Sequence, residues 1–510
     1  MHHYKKSSKS ILTVGFFTAL SRLFGLVRDM LFSRVMGISF FADAFFIALR
    51  LPNIFRRITS DGAFSASFIP IFSREISISK SRSINFSENV LFYMLIIVTS
   101  LVLLAQLLMP LLVYLIAGGF SDSQSKLDIT TSYARLTLPY IIFISLSSIG
   151  SAIINHQGKF FVTSLAPIFL NFFLIIALLF PNLNILDRGF LLSFSVSLSG
   201  FFNFVLIFYV LKKLNFSLRF KKNNNNESLK DFSKLAVPQT FSGFATQFNI
   251  LVSGFISSFR EGGISILYYA ERLYQLPLAL IGISIGTVIL PYLASLNIRN
   301  QKDKIIDLLS ITFKIALSLI IPAAFGLIFL SKMIVSVIYE YGIFGEYEVT
   351  EVSNVLIGFS FGLPAYVLIR IFSSVFYSMA DTKNPLKYSL MAIGINIALS
   401  IPLFVNFGVV GIAYATSLSA WFHLIVIYVK LRRLKLISIN MQIFIETLKI
   451  IFSSLIMLLI IKTLIHNIYF LYPVISLLIF VLVGMISYML CLFLTGVYRK
   501  SDIKDFIKDF

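Results

Sequence analysis

Apolar residues in this chain run in long unbroken blocks, separated by short polar stretches rich in Lys, Ser and Asn. A helix needs roughly 20 apolar residues to cross about 30 Å of hydrocarbon, and about fourteen blocks reach that length. They lie near 11–36, 39–71, 89–117, 129–154, 161–181, 189–211, 236–259, 264–293, 305–330, 351–379, 385–406, 409–429, 441–465 and 470–497. The strand of a membrane barrel would instead alternate apolar and polar positions over about ten residues. The pattern therefore predicts an all-α polytopic membrane protein with about 14 transmembrane helices.

The polar connections fall into two sets if successive blocks alternate in direction. One set holds about 27 Lys and Arg residues, while the other holds only Lys126, Arg188, Arg260 and Lys332. The positive-inside rule places the crowded set, and both termini with it, in the cytoplasm. The opening MHHYKKSSKS and its apolar run read as a first retained helix and not as a signal peptide. The run is too long, continues past Arg22 and Arg28, and lacks a small-residue cleavage pattern. The longest connection, KKLNFSLRFKKNNNNESLKDFSK at 212–234, separates six blocks from eight. It marks a predicted boundary between an N-terminal lobe, 1–222, and a C-terminal lobe, 223–436, with 437–510 left for a last helix pair and a cytoplasmic tail. Within it, ESLKDFSKL is suited to lie along the headgroups as a short amphipathic helix.

Composition narrows the class. Hydrophobic residues make up 57% and charged residues 13%, against about a quarter charged in a soluble chain. The net charge of +20 would suggest nucleic acid in a soluble protein; here the excess sits in the connections, so no nucleic-acid partner is expected. Cys491 is the single cysteine and the five His are scattered, so neither an internal disulfide nor a metal site is expected.

Ionisable residues inside the blocks are the informative exception. Arg22, Arg28 and Asp29 lie in the first block, Asp43, Arg50, Arg56, Arg57 and Asp61 in the second, and Glu271 and Arg272 in the eighth. Each Arg or Asp at a helix centre costs about 2.5 to 3.5 kcal/mol on insertion scales, so such groups face water, a partner or a ligand. Arg22 and Asp29 are seven apart, as are Asp43, Arg50 and Arg57, which gives each helix a polar stripe. Pro52 removes a backbone donor and crowds the Ala48 carbonyl, predicting a kink or break in the second helix. Two readings of these charges are open: they pair with one another and lock helices together, or they line a wet chamber. Six arginines against four acids leave a cationic excess. Because guanidinium forms paired bonds with phosphate oxygens, the excess favours a chamber for an anionic, phosphorylated substrate. Arg135, Lys314, Arg370, Lys449 and Lys462 stand alone or nearer block ends and are expected to snorkel to headgroups.

The run SRLFGLVRDMLFSRVMGISFFADAFFIALRLPNIFRRITSDGAFSASFIPIFSRE, 21–75, resembles the N-terminal signature of the MviN/MurJ family of lipid II flippases. PYIIFISLSSIGSAIINHQGKFFVTSLAPIFLN (139–171), YYAERLYQLPLALIGISIGTVILPYLA (268–294), DTKNPLKYSL (381–390) and GIAYATSLSAW (411–421) agree with it. The resemblance implies a member of the multidrug/oligosaccharidyl-lipid/polysaccharide exporter superfamily in the bacterial cytoplasmic (inner) membrane. It implies two six-helix lobes around a central cavity and a C-terminal helix pair forming a lipid-facing groove for a polyprenyl tail. The implied substrate is lipid II, the undecaprenyl-pyrophosphate-linked peptidoglycan precursor, moved from the cytoplasmic to the periplasmic leaflet by alternating access. Membrane phospholipids and other cell-wall synthesis proteins are the further partners it implies.

By motif, Arg28 and Asp29 in VRD, Asn53 and Arg56 in LPNIFR, and Arg272 in YYAER match the family's central-cavity residues, with Arg22 and Asp43 at supporting charged positions. Arg28, Arg56 and Arg272 are assigned to the pyrophosphate and headgroup, Asp29 to orienting an arginine, and Asn53 to hydrogen bonding. Asp61 stands where relatives commonly carry Glu. Some relatives bind sodium at positions that here are Ser253, Asn396, Ser400 and Thr416; lacking a carboxylate, these predict no such metal site. No cofactor is expected, and membrane potential is the expected energy source, at about 2.3 kcal/mol per elementary charge per 100 mV.

A flippase for another polyprenyl-pyrophosphate-linked glycan is the alternative, since the diphosphate is shared. A drug exporter for cations would be expected to carry carboxylates in its cavity. An integral-membrane glycosyltransferase would need acidic metal ligands in sizeable loops, and no nucleophile–base pair is legible, so no enzymatic activity is expected. A structural scaffold would leave the embedded arginines without a purpose.

Overall fold

An apolar block that enters lipid must satisfy its own backbone, and in the computed structural model every regular element among the described residues is helical. The structure describes residues 2–59, 63–223, 227–299, 301–437, 441–468 and 472–498. The α-helices are α1 (His2–Met36), α2 (Phe40–Thr59), α3 (Ala63–Ile78), α4 (Lys80–Leu107), α5 (Met109–Ile116), α6 (Gln124–Thr137) and α7 (Tyr140–His156). Then come α8 (Phe160–Thr163), α9 (Ala166–Leu179), α10 (Ile185–Lys213), α11 (Glu227–Ser257), α12 (Gly263–Pro277), α13 (Ser284–Ile298), α14 (Lys302–Phe329) and α15 (Ser331–Tyr339). The last are α16 (Glu346–Ser360), α17 (Leu363–Ser378), α18 (Lys383–Phe407), α19 (Val409–Arg433), α20 (Met441–Ile468) and α21 (Pro473–Leu494).

Among the described residues, 11 segments are long and apolar enough to cross a membrane. Several join two helices in one span, as α6 with α7 and α16 with α17, and a π-helical turn at Leu278–Ile283 carries α12 into α13. α1, α2 and α11 stand outside that set as further long helices, and α2 carries Asp43, Arg50, Arg56 and Arg57 within its 20 residues. The block predicted as one segment at 39–71 is two helices, α2 and α3. Apolar side chains on the outer surface remain bare: Leu107 is 78% exposed, Val405 77% and Leu494 88%. So much exposed hydrocarbon is stable in lipid and not in water. The chain is a multi-pass membrane protein.

Pro52 does not break α2, which continues across it. Proline leaves the Ala48 carbonyl without its intrahelical donor. The hydroxyl of Thr137, at the end of α6, donates to that carbonyl at 2.8 Å in a buried position. A neighbouring helix thus supplies the bond that the sequence of α2 removed.

The chain forms two compact units, Met1–Ser265 with Tyr341–Phe344, and Ile266–Glu340 with Gly345–Phe510. The compact units change over near residue 265, whereas charge and hydropathy set the boundary at 222. The reason lies in the first unit, where the basic connection is clamped down. The buried Glu88 carboxylate on α4 accepts from the Arg219 backbone N–H at 3.0 Å and from the Asn223 side-chain amide at 2.8 Å. Buried Glu75 on α3 accepts from the Ser228 hydroxyl at 2.7 Å, and Arg74 is paired with Asp231 at 3.0 Å. α11 consequently packs against α2 and α3. The core of this unit is aromatic: Phe68 stacks on Phe64, Phe72 and Phe86, and Phe232 meets Phe64 edge-on.

In the second unit α18 and α19 form a helical hairpin turned at Gly408, whose φ of 60° and ψ of −142° only glycine adopts without strain. α20 packs against α14 and α21. Lys314, expected to snorkel, instead lies 3.1 Å from Glu446 on α20 and 5.0 Å from the centroid of the Tyr498 ring. The Tyr488 hydroxyl adds a 2.7 Å bond to the Ser318 carbonyl. A carboxylate one helix away is a better partner for this ammonium than a distant headgroup, and the cluster fastens the last helix pair to α14.

Candidate functional site

The embedded charges of α1 are gathered by a helix distant in sequence. Arg28 and Asp29 are both buried, at 7% and 5% exposure. The Arg28 guanidinium donates to one Asp29 carboxylate oxygen through Nε at 3.0 Å and Nη2 at 2.6 Å, and through Nη1 to the Asn171 Oδ1 at 2.9 Å. The Asn171 Nδ2 in turn donates to the Ser21 carbonyl at 3.1 Å. Asn171 therefore clamps two successive turns of α1 from α9, and the Arg28 guanidinium is paired with the Asp29 carboxylate. Asn171 was missed as a site residue. The available signal was its position as a lone amide in the apolar run APIFLNFFLIIALL. Arg22, two turns before Asp29, is exposed.

On α2 the predicted seven-residue stripe divides. Arg50 and Arg57 both reach α11: Arg50 donates to the Ile250 carbonyl at 3.2 Å and Arg57 to the Gln247 Oε1 at 3.2 Å. Both acceptors are neutral oxygens of α11, and the bonds orient the two guanidinium groups toward that helix. A Cβ on Gly254 would lie 1.3 Å from the Arg50 Nη1, so glycine is required there to leave room for the guanidinium. Asn53 and Arg56, the residues assigned to substrate, are half-buried on α2.

Asp43 has a different task from its neighbours. It is fully buried, and its carboxylate accepts from the backbone N–H of Gly262 at 2.8 Å, from that of Ser265 at 2.7 Å, and from the Ser265 hydroxyl. It caps the N-terminus of α12, where unsatisfied N–H groups and the helix dipole favour an anion. Grouped by sequence with the cavity charges, Asp43 is a capping residue in the structure. Asp61 lies outside the described residues.

In the second unit, Arg272 is half-buried on α12; its Nη2 donates to the Tyr268 hydroxyl at 2.8 Å and its guanidinium lies 4.7 Å from the Tyr268 ring centroid. The aromatic partner one turn earlier holds this cation by a hydrogen bond and a cation–π contact. The positions matching the sodium site of some relatives are also placed. Asn396 and Ser400 on α18 are buried; the Asn396 amide donates to the Thr416 and Ser419 hydroxyls of α19 at 3.1 and 3.3 Å, and the Ser400 hydroxyl donates to the Asn396 Oδ1 at 2.9 Å. These polar groups satisfy one another across the hairpin. Ser253, half-buried on α11, belongs to the first unit. Among the described residues no group of three or more His, Cys, Asp or Glu side chains is placed to hold a metal ion.

Many membrane-crossing segments with guanidinium groups held among them by amides, carbonyls and a carboxylate make the construction of a polytopic membrane transporter. Comparison with known proteins narrows the class. Residues 32–498 match the family model described as "Lipid II flippase MurJ". The "Probable lipid II flippase MurJ" of Rickettsia prowazekii is 36% identical over 426 residues, 82% of this chain and 83% of that protein. A solved structure described as "Lipid II flippase MurJ, inward closed conformation" superposes with a TM-score of 0.78 at 27% identity, covering 94% of this chain and 98% of the other. An inward-facing MATE-family multidrug resistance transporter of the MOP superfamily shares the fold, with a TM-score of 0.67 at 14% identity over 83% of this chain and 97% of its own. The chain belongs to the MurJ family.

Proposed function

We infer that this chain is a lipid II flippase, a transporter and not an enzyme, moving the undecaprenyl-pyrophosphate-linked peptidoglycan precursor from the cytoplasmic to the periplasmic leaflet of the bacterial inner membrane. Membership of the MurJ family over residues 32–498 is the observation that carries this reading. The embedded arginines give it a chemistry. A diphosphate bears oxygens that guanidinium pairs bidentately.

In this mechanism Arg56 and Arg272 engage the diphosphate and headgroup while Asn53 hydrogen-bonds sugar or phosphate. Arg28, held ready by Asp29 and Asn171, exchanges a carboxylate oxygen for a phosphate oxygen of similar geometry. Transport proceeds by alternating access with the prenyl tail remaining in lipid, and the membrane potential supplies the work. The crowded set of positive connections supports cytoplasmic termini.

Depletion of the protein in cells tests the function: lipid-linked precursor is expected to accumulate on the inner leaflet, and an unchanged distribution refutes it. Arg272→Ala, made at wild-type protein level, tests the site. It is expected to abolish complementation of a flippase-depleted strain, and full rescue removes Arg272 from the substrate assignment.

A further inference from the structure

α17 is enclosed on nearly every side, and its exposed side chains are Arg370 and Tyr377. Seven residues apart, they stand two turns from one another on one face. Half-buried Tyr366 and Ser373 complete the stripe. A helix surface turned to lipid is composed differently: α21 exposes Leu478, Leu482, Met485, Ile486 and Met489. Guanidinium, phenol and hydroxyl groups on the open face of an otherwise buried helix set that face against water and not hydrocarbon. Snorkelling, expected for Arg370 from its place in the sequence, serves a cation among exposed aliphatic side chains, and α17 exposes none.

A second element walls the stripe. Tyr274 of α12 stacks on Tyr366 with ring centroids 6.0 Å apart, a Cβ on Gly282 would lie 3.2 Å from Val367, and one on Gly286 would lie 3.8 Å from the Arg370 Cβ. The Ser374 hydroxyl donates to the Gly286 carbonyl at 3.4 Å, and the Asn297 amide to the Ser378 hydroxyl at 2.5 Å. α12, the π-helical turn and α13 therefore run beside α17, and glycine at 286 leaves the space next to Arg370 open. Among the described residues the Arg370 guanidinium has no hydrogen-bond or ion-pair partner. Gly286 follows Arg272 by 14 residues in one continuous helical segment, which is about 20 Å of rise. Arg370, level with Gly286, is displaced from Arg272 by that distance toward the end where Lys302, Lys304, Lys383 and Lys387 follow the helices, the end that the positive-inside rule assigns to the cytoplasm. One diphosphate does not reach both arginines at once.

We propose that Arg370 is an entry position for the cargo: its guanidinium pairs with the diphosphate of lipid II at the cytoplasmic end of the path, before the diphosphate passes on to Arg272. The proposal rests on the flippase reading and adds to it a binding residue on α17.

Transport of lipid II in vesicles reconstituted with the full-length chain tests it. Arg370→Gln is expected to raise the lipid II concentration for half-maximal transport about tenfold, the loss of one charge-assisted pair, with the maximal rate unchanged. A residue that only supports the fold would lower the maximal rate instead. Arg370→Lys, which keeps the charge without the planar fork, is expected to recover part of the shift. Lys387→Gln, an exposed cation at the same end on α18, is expected to behave as wild type. No transport by the wild-type chain overturns the flippase reading and this proposal with it. Wild-type transport with an unshifted half-maximal concentration in Arg370→Gln, or an equal shift in Lys387→Gln, overturns the proposal alone. The same shift is expected in phosphatidylglycerol and in phosphatidylcholine vesicles; a shift confined to phosphatidylglycerol also overturns it, since Arg370 would then be an ordinary headgroup contact.

Discussion

Thr137 and Pro52 should be coupled in stability although they lie on different helices. Pro52 deprives the Ala48 carbonyl of its donor, and the Thr137 hydroxyl, 2.8 Å away and buried, replaces it. Thr137→Val keeps the shape of the side chain and removes only that hydroxyl. An unsatisfied buried carbonyl costs about 1 to 3 kcal/mol, while hydrogen bonds between membrane helices average about 0.6 and reach about 1.7 kcal/mol. The same hydroxyl also lies 3.0 Å from its own Ala134 carbonyl, so part of its bonding is local. The expected loss is therefore about 1 to 1.5 kcal/mol. In a Pro52→Ala background the residue at 52 regains an N–H, Ala48 is satisfied within α2, and Thr137→Val should cost close to nothing. Equilibrium unfolding in mixed micelles, run on all four members of the cycle, measures a coupling of about 1 kcal/mol. Equal costs for Thr137→Val in both backgrounds would show that the hydroxyl does not stand in for the missing proline N–H.

Asp43→Asn is expected to destabilise the protein by about 2 kcal/mol, because its amide presents one acceptor oxygen and a mismatched NH₂ to three donors; thermal unfolding of the purified variant reads this, and an unchanged midpoint refutes the cap. Gly254→Ala should displace the Arg50 guanidinium from the Ile250 carbonyl, lowering stability by about 1 to 3 kcal/mol; the same loss when it is made in an Arg50→Ala background would disprove the steric account. Lys314→Met alone should cost about 3 kcal/mol by leaving Glu446 unpaired in a largely buried setting, whereas Lys314→Met/Glu446→Met should recover most of that; a double variant as unstable as the single one would contradict the pairing.

Membrane class and helical architecture were legible in the sequence because apolar block length is a local property, set by the thickness of hydrocarbon that one helix must cross. The embedded arginines were legible for the same reason: a charge inside an apolar run is visible without knowing its neighbours. Their partners were not. Asn171 meets Arg28 across 143 residues and Gly262 meets Asp43 across 219. No helical period connects such positions, so only packing could decide that Arg28 is held by an amide and Asp43 caps a helix. The fate of Pro52 follows the same division. Its missing N–H is a property of one residue, but whether the helix breaks depends on whether another helix brings a hydroxyl to the orphaned carbonyl. The central connection shows it as well: polarity and a four-Asn run suggested a boundary there, yet buried Glu75 and Glu88 draw it onto the first unit. Local chemistry thus determined which groups must be satisfied in the membrane, and tertiary structure decided by what, because a hydrogen bond is specified by positions in space and not along the chain.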